Sequence, residues 1–156
     1  KTGGKSGVFL SKLKGKVVSI NISDTKGVVK VPIEKGEFIE EFGLKGDAHA
    51  GKWHRQVSLL GVESIDKMKR EGLYDLQLGD FAENITTSGI LLYELPVGTI
   101  LKVGECELEV TQIGKQCHEG CAIKKKVGDC VMPREGIFAR VLKGGVIKAG
   151  DDIEIC

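Results

Sequence analysis

Glycine punctuation constrains this chain more than any other feature. Its 156 residues hold 22 glycines and only 3 prolines. Glycine supplies the backbone freedom that tight turns demand. The pattern predicts many short elements joined by tight turns, not long helices or a layered α/β sheet.

The stretches between the glycines agree. GKVVSINI (15–22) and GVVKVPI (27–33) are β-branched runs joined by SDTK, which predicts a hairpin. GEFIEEFGL (36–44) alternates loosely and runs into the glycine-rich GLKGDAHAG (43–51). RQVSLLG (55–61) reads as a strand. In the VESIDKMKREG that follows, Val62, Ile65 and Met68 recur every three residues and Gly72 offers a stop, which predicts a helix. LGDFAENITTSGI (78–90) mixes strand and turn signals. TILKVGECELEV (99–110) predicts a hairpin around Val103, Gly104 and Glu105, with Cys106, Leu108 and Val110 on one face of its second strand. GIFARVLKGGVIKAGDDIEI (136–155) predicts two strands around a Gly-Gly turn, with a helix over 135–142 as the competing reading. Short strands, frequent turns and one inserted helix fit a mainly β, barrel-like fold.

Composition narrows the class. At this length one domain is expected, here residues 13–156, with residues 1–12 as a disordered tail or an expression remnant. An apolar content of 41% and a charged content of 29% describe a globular chain. A net charge of +1 without a basic stripe argues against nucleic acid as a partner. No apolar run approaches the roughly 18 residues of a membrane-spanning helix, and no signal-peptide pattern opens the sequence. GGKS near the start lacks the first glycine of a phosphate loop and has no strand before it. Five cysteines, unevenly spaced, argue against a disulfide framework and for a reducing, cytoplasmic setting.

The segment GKQCHEGCAIKKKVGDC concentrates chemistry. It holds Cys117, His118, Cys121 and Cys130, with Lys115 and Lys124 to Lys126 close in sequence. Cations near a thiol raise its thiolate fraction. Four readings stay open. Three cysteines and a histidine have the ligand types of a structural zinc site, although no C-x-x-C is present. Cys117 and Cys121 as a redox pair would need a turn looser than a helix, whose Cβ atoms at that spacing lie about 5–6 Å apart against the about 3.5–4.5 Å of a disulfide. The thiols could be small buried hydrophobes, the favoured reading for Cys106 and Cys156. Or Cys117, set between Lys-Gln and His-Glu-Gly past a strand end, is the working group.

The loop GLKGDAHAG offers backbone N–H groups to anionic oxygens or is a plain turn; His49, His54 and Arg55 follow directly. Of the four arginines, Arg70 lies on the helix's polar side. Arg55, Arg134 and Arg140 lie near glycine-rich turns, where a guanidinium can grip a phosphate in bidentate fashion. Asp151-Asp152 reads as turn chemistry, and nothing marks a nucleophilic serine.

Taken together, GLKGDAHAG with RQVSLL, LGDFAENITTSGI, VGTILKVGECELEVTQIGKQCHEGC and GIFARVLKGGVIKAGDDIEI resemble the MOSC domain, named after the C-terminal part of molybdenum cofactor sulfurases. The segments come in the family's order from Gly15 onward. CHEGCAI and CVMPREGIF are wording of small stand-alone bacterial members. The resemblance implies a β-barrel-like fold and a pocket for the molybdenum cofactor, a pterin dithiolene that carries a phosphate. The position matching the family's sulfur-carrying or molybdenum-ligating cysteine is Cys117, with Cys121 as an accessory thiol. Gly46, Asp47, His49 and Arg55 match pocket-lining positions, and Glu83 and Asn84 match hydrogen-bonding positions near the pterin.

The same resemblance implies partners: cofactor-biosynthesis or cysteine desulfurase proteins, or an electron donor if the activity is reduction of N-hydroxylated compounds. PLP is not expected, because 156 residues cannot also hold the desulfurase domain of full-length sulfurases. Sulfur transferase and molybdenum-dependent reductase both fit. The alternative from another class is a small zinc-stabilised binding or adaptor domain without catalysis.

Overall fold

The structure, a computed structural model, describes residues 14–70, 75–114 and 132–156. Seven strands form a closed barrel. β1 (Gly15–Ile22) is followed around the ring by β6 (Ile85–Ser88), β5 (Val57–Gly61), β9 (Ile137–Lys143), β8 (Cys106–Ile113), β7 (Ile100–Val103) and β11 (Asp152–Ile155). β11 then pairs with the first residues of β1, Gly15 with Ile153 and Lys16 with Asp152. Farther along the same edge of β1, β2 (Val31–Ile33) takes over. Closure removes the free edges that an open sheet of this size would expose.

The barrel is antiparallel except where β5 and β6 run parallel. A parallel pair needs a crossover, and α1 (Val62–Arg70) begins it. Ile65 and Met68 of α1 are buried, on the periodic face expected from the sequence. Glu63 in its first turn and Lys67, Lys69 and Arg70 in its last complement the helix dipole. Gly72, the predicted stop, lies outside the described residues. Because α1 covers the outer face of β5, all five residues of that strand are buried.

The fold therefore has two apolar clusters. The barrel interior is packed by Val17, Ile20, Leu59, Ile85, Leu108, Val141 and their neighbours. Outside the wall, Leu60, Ile65, Met68, Leu76, Phe81 and Phe138 form a second cluster under the helix. Cys106, Leu108 and Val110 all face inward, as alternation along β8 predicts.

The β7–β8 hairpin closes through Gly104-Glu105, with Val103 opposite Cys106. Gly104 has φ +55°, and a Cβ there would meet the Asp151 carboxylate at 2.5 Å. A positive φ at the first of two loop residues is the hairpin geometry that matches strand twist.

Two expectations need correction. The hairpin after β1 is longer than SDTK, because pairing resumes only at Val31. The Gly144-Gly145 step is no hairpin turn. β10 (Gly145–Lys148) leaves the barrel and joins β3 (Lys35–Ile39) and β4 (Gly43–Leu44) in a separate three-stranded sheet. Residues 137–143 are strand, not helix, since β9 is gripped on both edges by β5 and β8. A one-turn helix, α2 (Met132–Glu135), precedes it. Glu135 anchors that turn to α1 by accepting bonds from Ser64 Oγ at 2.6 Å and Lys67 Nζ at 2.9 Å. No described helix is long and apolar enough to cross a membrane.

Candidate functional site

The glycine-rich loop lies between β4 and β5 and is tied down by its own backbone. Asp47 N–H donates to Leu44 O, Ala48 N–H to Ser23 O and Gly51 N–H to Phe42 O. The Asp47 carboxylate accepts from the Ser23 N–H at 3.1 Å and the His49 N–H at 3.0 Å, a local turn bond typical of aspartate.

Beneath the carboxylate sits Lys30. Both side chains of this pair are fully buried, with Nζ 2.8 Å from Asp47 Oδ1. Lys30 also donates to Ser23 Oγ at 3.0 Å and lies 3.0 Å from His49 Nδ1. Burial pushes the Asp47 carboxyl up. The Lys30 hydrogen bond and charge, with the two backbone N–H groups, outweigh that and hold it below the usual carboxylate range.

The loop continues into Trp53, His54 and Arg55. Trp53 Nε1 donates to His49 O at 2.8 Å, which leaves an exposed indole beside the loop. Lys26 Nζ lies 5.2 Å and the Arg55 guanidinium 6.0 Å from its ring centre. Arg55 also packs 5.2 Å over the Phe138 ring, so one cation joins the loop to the cluster outside the barrel.

Gln112, near the end of β8, is the anchor. Its Oε1 accepts from Arg55 Nε at 3.1 Å and meets His54 Nε2 at 2.7 Å. Arginine only donates, so this amide atom is the oxygen and His54 Nε2 carries a hydrogen. The Gln112 amide nitrogen donates to Gly114 O at 2.8 Å, and Thr111 donates its hydroxyl to His54 O. A register shift between Val110 and Gln112 in the β8–β9 ladder marks a bulge at this point.

Glu83 and Asn84 are fully buried and bonded within the protein. Glu83 accepts from Gly79 N–H, Phe81 N–H and the Thr86 hydroxyl. Burial dominates and raises its carboxyl above the usual range. Asn84 Oδ1 accepts from the Ser58 N–H, and its amide nitrogen donates to Asn21 O. Glu83 connects to the loop through Gly79 and Lys30. Lys30 N–H donates to Gly79 O at 2.8 Å, and Gly79 N–H donates to Glu83. A Cβ on Gly79, at φ +90°, would collide with the Lys30 carbonyl.

Thus the fold brings Gly46, Asp47, His49 and Arg55 together on one loop and sets Glu83 and Asn84 as a buried support behind it. Arg140, on β9, lines one depression together with Trp53 and His54. Its Nε lies 2.6 Å from Glu109 and its Nη1 3.0 Å from Glu41, so two carboxylates bind part of the fork expected to grip a phosphate. Arg134 is exposed on α2. Cys117 and Cys121, with His118 and Cys130, lie outside the described residues. Among the described residues no group of three or more His, Cys, Asp or Glu side chains could hold a metal ion. The sequence reading missed Lys30, Trp53 and Gln112. A single lysine inside VVKVPI was the available signal for the first.

Two open depressions flank the loop. One, of about 380 Å³, is lined by Glu41, Lys52, Trp53, His54, Gln56 and Arg140. The other, of about 430 Å³, is lined by Ile22, Ser23, Asp24, Val28, Val31 and Gly46 among others.

The sequence matches the family description "MOSC domain" over residues 46–154. Among solved structures, the YuaD protein from Bacillus subtilis aligns with a TM-score of 0.77 at 21% identity, over 91% of this chain and 95% of that one. YiiM from Geobacillus stearothermophilus aligns at 0.72 and 20% identity, over 91% and 75%. YiiM from Escherichia coli aligns at 0.69 and 18%, over 92% and 69%. At such identities the likeness is one of fold. No curated protein matches the sequence.

Proposed function

The chain belongs to the MOSC domain family, and from that premise we propose that it binds the molybdenum cofactor beside the loop of residues 46–55, with Cys117 as metal ligand or sulfur carrier. One observation carries the reading: Lys26, His54 and Arg55 gather around the exposed indole of Trp53. A phosphate-bearing pterin needs cationic donors for its phosphate and a flat apolar face for its rings. Lys26 and Arg55 offer the first and the Trp53 ring the second, so the residues present fit the cofactor.

Bound there, the cofactor supplies a molybdenum centre for sulfur transfer or for reduction of N-hydroxylated compounds. The chain's own residues bind and orient. Arg55 and His54 share the Gln112 oxygen, so their donors keep fixed directions. Gln112 also holds Gly114 O, three residues before Cys117 in the sequence, which couples the loop to the end of β8. A thiolate is a soft ligand suited to a metal already held by dithiolene sulfur. We place the protein in the cytoplasm, with a cysteine desulfurase, a cofactor-biosynthesis protein or an electron donor as its partner.

The test is metal analysis and mass spectrometry of protein purified from cells that make molybdenum cofactor. Molybdenum and pterin in equal amounts, lost on Arg55→Ala or Trp53→Ala, is the expected result. Stoichiometric zinc without pterin, lost on Cys121→Ser or Cys130→Ser, would replace the proposal with a zinc-stabilised binding domain. A sulfur carrier gains a persulfide on Cys117 when incubated with a desulfurase and cysteine. A reductase turns over hydroxylamines when given cofactor and reductant.

A further inference from the structure

We infer that the depression lined by Glu41, Lys52, Trp53, His54, Gln56 and Arg140 binds a small flat molecule that carries a carboxylate, with Gln56 as the donor that selects it. The site is built where β5 meets β9. Their ladder begins with Val57 opposite Ala139, which sets Gln56 beside Arg140 and Val141. Past that rung the Gln56 side chain takes over from the ladder, and its Oε1 accepts from the Val141 N–H at 2.9 Å. Val141 O accepts from the Glu41 N–H, also at 2.9 Å. One residue of β9 therefore fixes two walls of the depression.

The Val141 bond decides which way the Gln56 amide faces. A main-chain N–H only donates, so the atom opposite it is the oxygen, and the amide nitrogen lies on the other side with two hydrogens. Gln56 is 2% exposed, yet that nitrogen has no hydrogen-bond partner among the described residues. It is not sealed in the protein either. Among the described residues, the side-chain polar atoms both sealed and unpartnered are Glu63 Oε1 and Thr87 Oγ1. A nearly buried residue thus keeps an open donor, and that residue lines the depression. An acceptor brought by a ligand would complete the amide's bonding.

The other lining residues fix the chemistry of that acceptor. Arg140 gives Nε to Glu109 and Nη1 to Glu41, while its Nη2 has no partner among the described residues. Lys52 adds a second cation. Glu41 is the one carboxylate lining the depression and already accepts from Arg140. Donors therefore outnumber acceptors, and a guanidinium edge beside an amide N–H₂ suits the two oxygens of a carboxylate. The Trp53 ring, 38% exposed, supplies a flat apolar wall for the rest of the ligand. The volume of about 380 Å³ is that of a small-molecule site. Lys26 and Arg55, the cations assigned above to the cofactor phosphate, are not among these lining residues. The site shares Trp53 and His54 with the cofactor reading and has its own donors.

The chain has a single tryptophan, so its indole N–H signal in ¹H–¹⁵N spectra reports on this site directly. The full chain, without molybdenum cofactor, is titrated with sodium benzoate, with sodium acetate and with benzylamine hydrochloride at equal ionic strength. The expected result is a saturable shift with benzoate, a much weaker response to acetate, which lacks the ring, and none to benzylamine, which lacks the carboxylate. Gln56→Glu keeps an oxygen for the Val141 N–H and removes the donor. Arg140→Met removes the guanidinium from an exposed position and serves where the first variant does not fold. Each should weaken benzoate binding about tenfold. No saturable shift with benzoate would overturn the proposal, as would an equal response to acetate or benzylamine, or unchanged affinity in a folded variant. Benzoate binding supports the site whether or not protein purified from cells carries cofactor, and a failed search for cofactor leaves it standing.

Discussion

At the scale of single residues, Lys30 is the side chain whose environment departs most from expectation. It is charged, 2% exposed, and lies between two valines. Removing it alone strands a buried carboxylate. Lys30→Met should cost about 3–5 kcal/mol in denaturant-unfolding experiments, while Lys30→Met with Asp47→Leu should recover most of that loss. A single variant as stable as wild type would mean that water reaches Asp47. The same carboxylate leaves a signature in pH. Its folded pKa lies below the unfolded value, so its contribution is present above the ordinary carboxylate range and fades as pH falls through the folded value. Asp47→Asn should flatten the acid limb of the stability–pH curve below about pH 4. Glu83 works in the opposite sense. Its raised pKa makes its contribution fullest below the ordinary carboxylate range and smaller as pH rises through the folded value.

At the scale of elements, one glycine joins two motifs. Gly79 exchanges backbone contacts with Lys30 and donates to Glu83, so the GDFAEN turn and the buried lysine share a single peptide unit. Gly79→Ala adds a Cβ at positive φ against the Lys30 carbonyl. We expect a loss of about 1–3 kcal/mol. The displaced Lys30 should also loosen the loop, read as faster hydrogen exchange at the Ala48 and Gly51 amides, whose bonds hold it. Unchanged exchange together with lowered stability would separate the turn from the loop. The element scale also shows where local reading reached its limit. β7–β8 was legible because a two-residue turn and strict alternation lie within twelve residues. Gly144-Gly145 was misread because its strands pair with partners far away in the sequence, β10 with β3 and β9 with β5.

For the whole molecule, the closed barrel separates inert thiols from accessible ones. Cys106 faces the interior. Burial, helped by the charges of Glu105 and Asp151 and opposed by Lys143, pushes its thiol up to about 12. Cys156 is exposed at the chain end. Alkylation at pH 8 followed by peptide mapping should label Cys156 readily and leave Cys106 untouched until denaturant is added. Labelling of Cys106 in the folded protein would mean that the seam closed by β1 and β11 opens. That seam is short: Gly15 and Lys16 pair with β11, and the Val17 backbone adds bonds to Asp151 and Gly150.

The sequence alone determined the strand-rich character, the single convincing helix, the inward face of β8 and the family. Each of these rests on spacing within a few residues or on motifs read in order. Tertiary structure decided the rest of the site. It closed the barrel, buried Lys30 against Asp47, turned Trp53 outward and brought Gln112 to His54 and Arg55. It also set Arg140 beside two glutamates and buried Glu83 and Asn84 behind the loop. The physical reason is distance along the chain. A turn's preferred φ or a strand's alternation is carried by neighbouring residues, whereas the partners of Lys30 and Arg55 are chosen by packing that joins segments 17 and 57 residues apart.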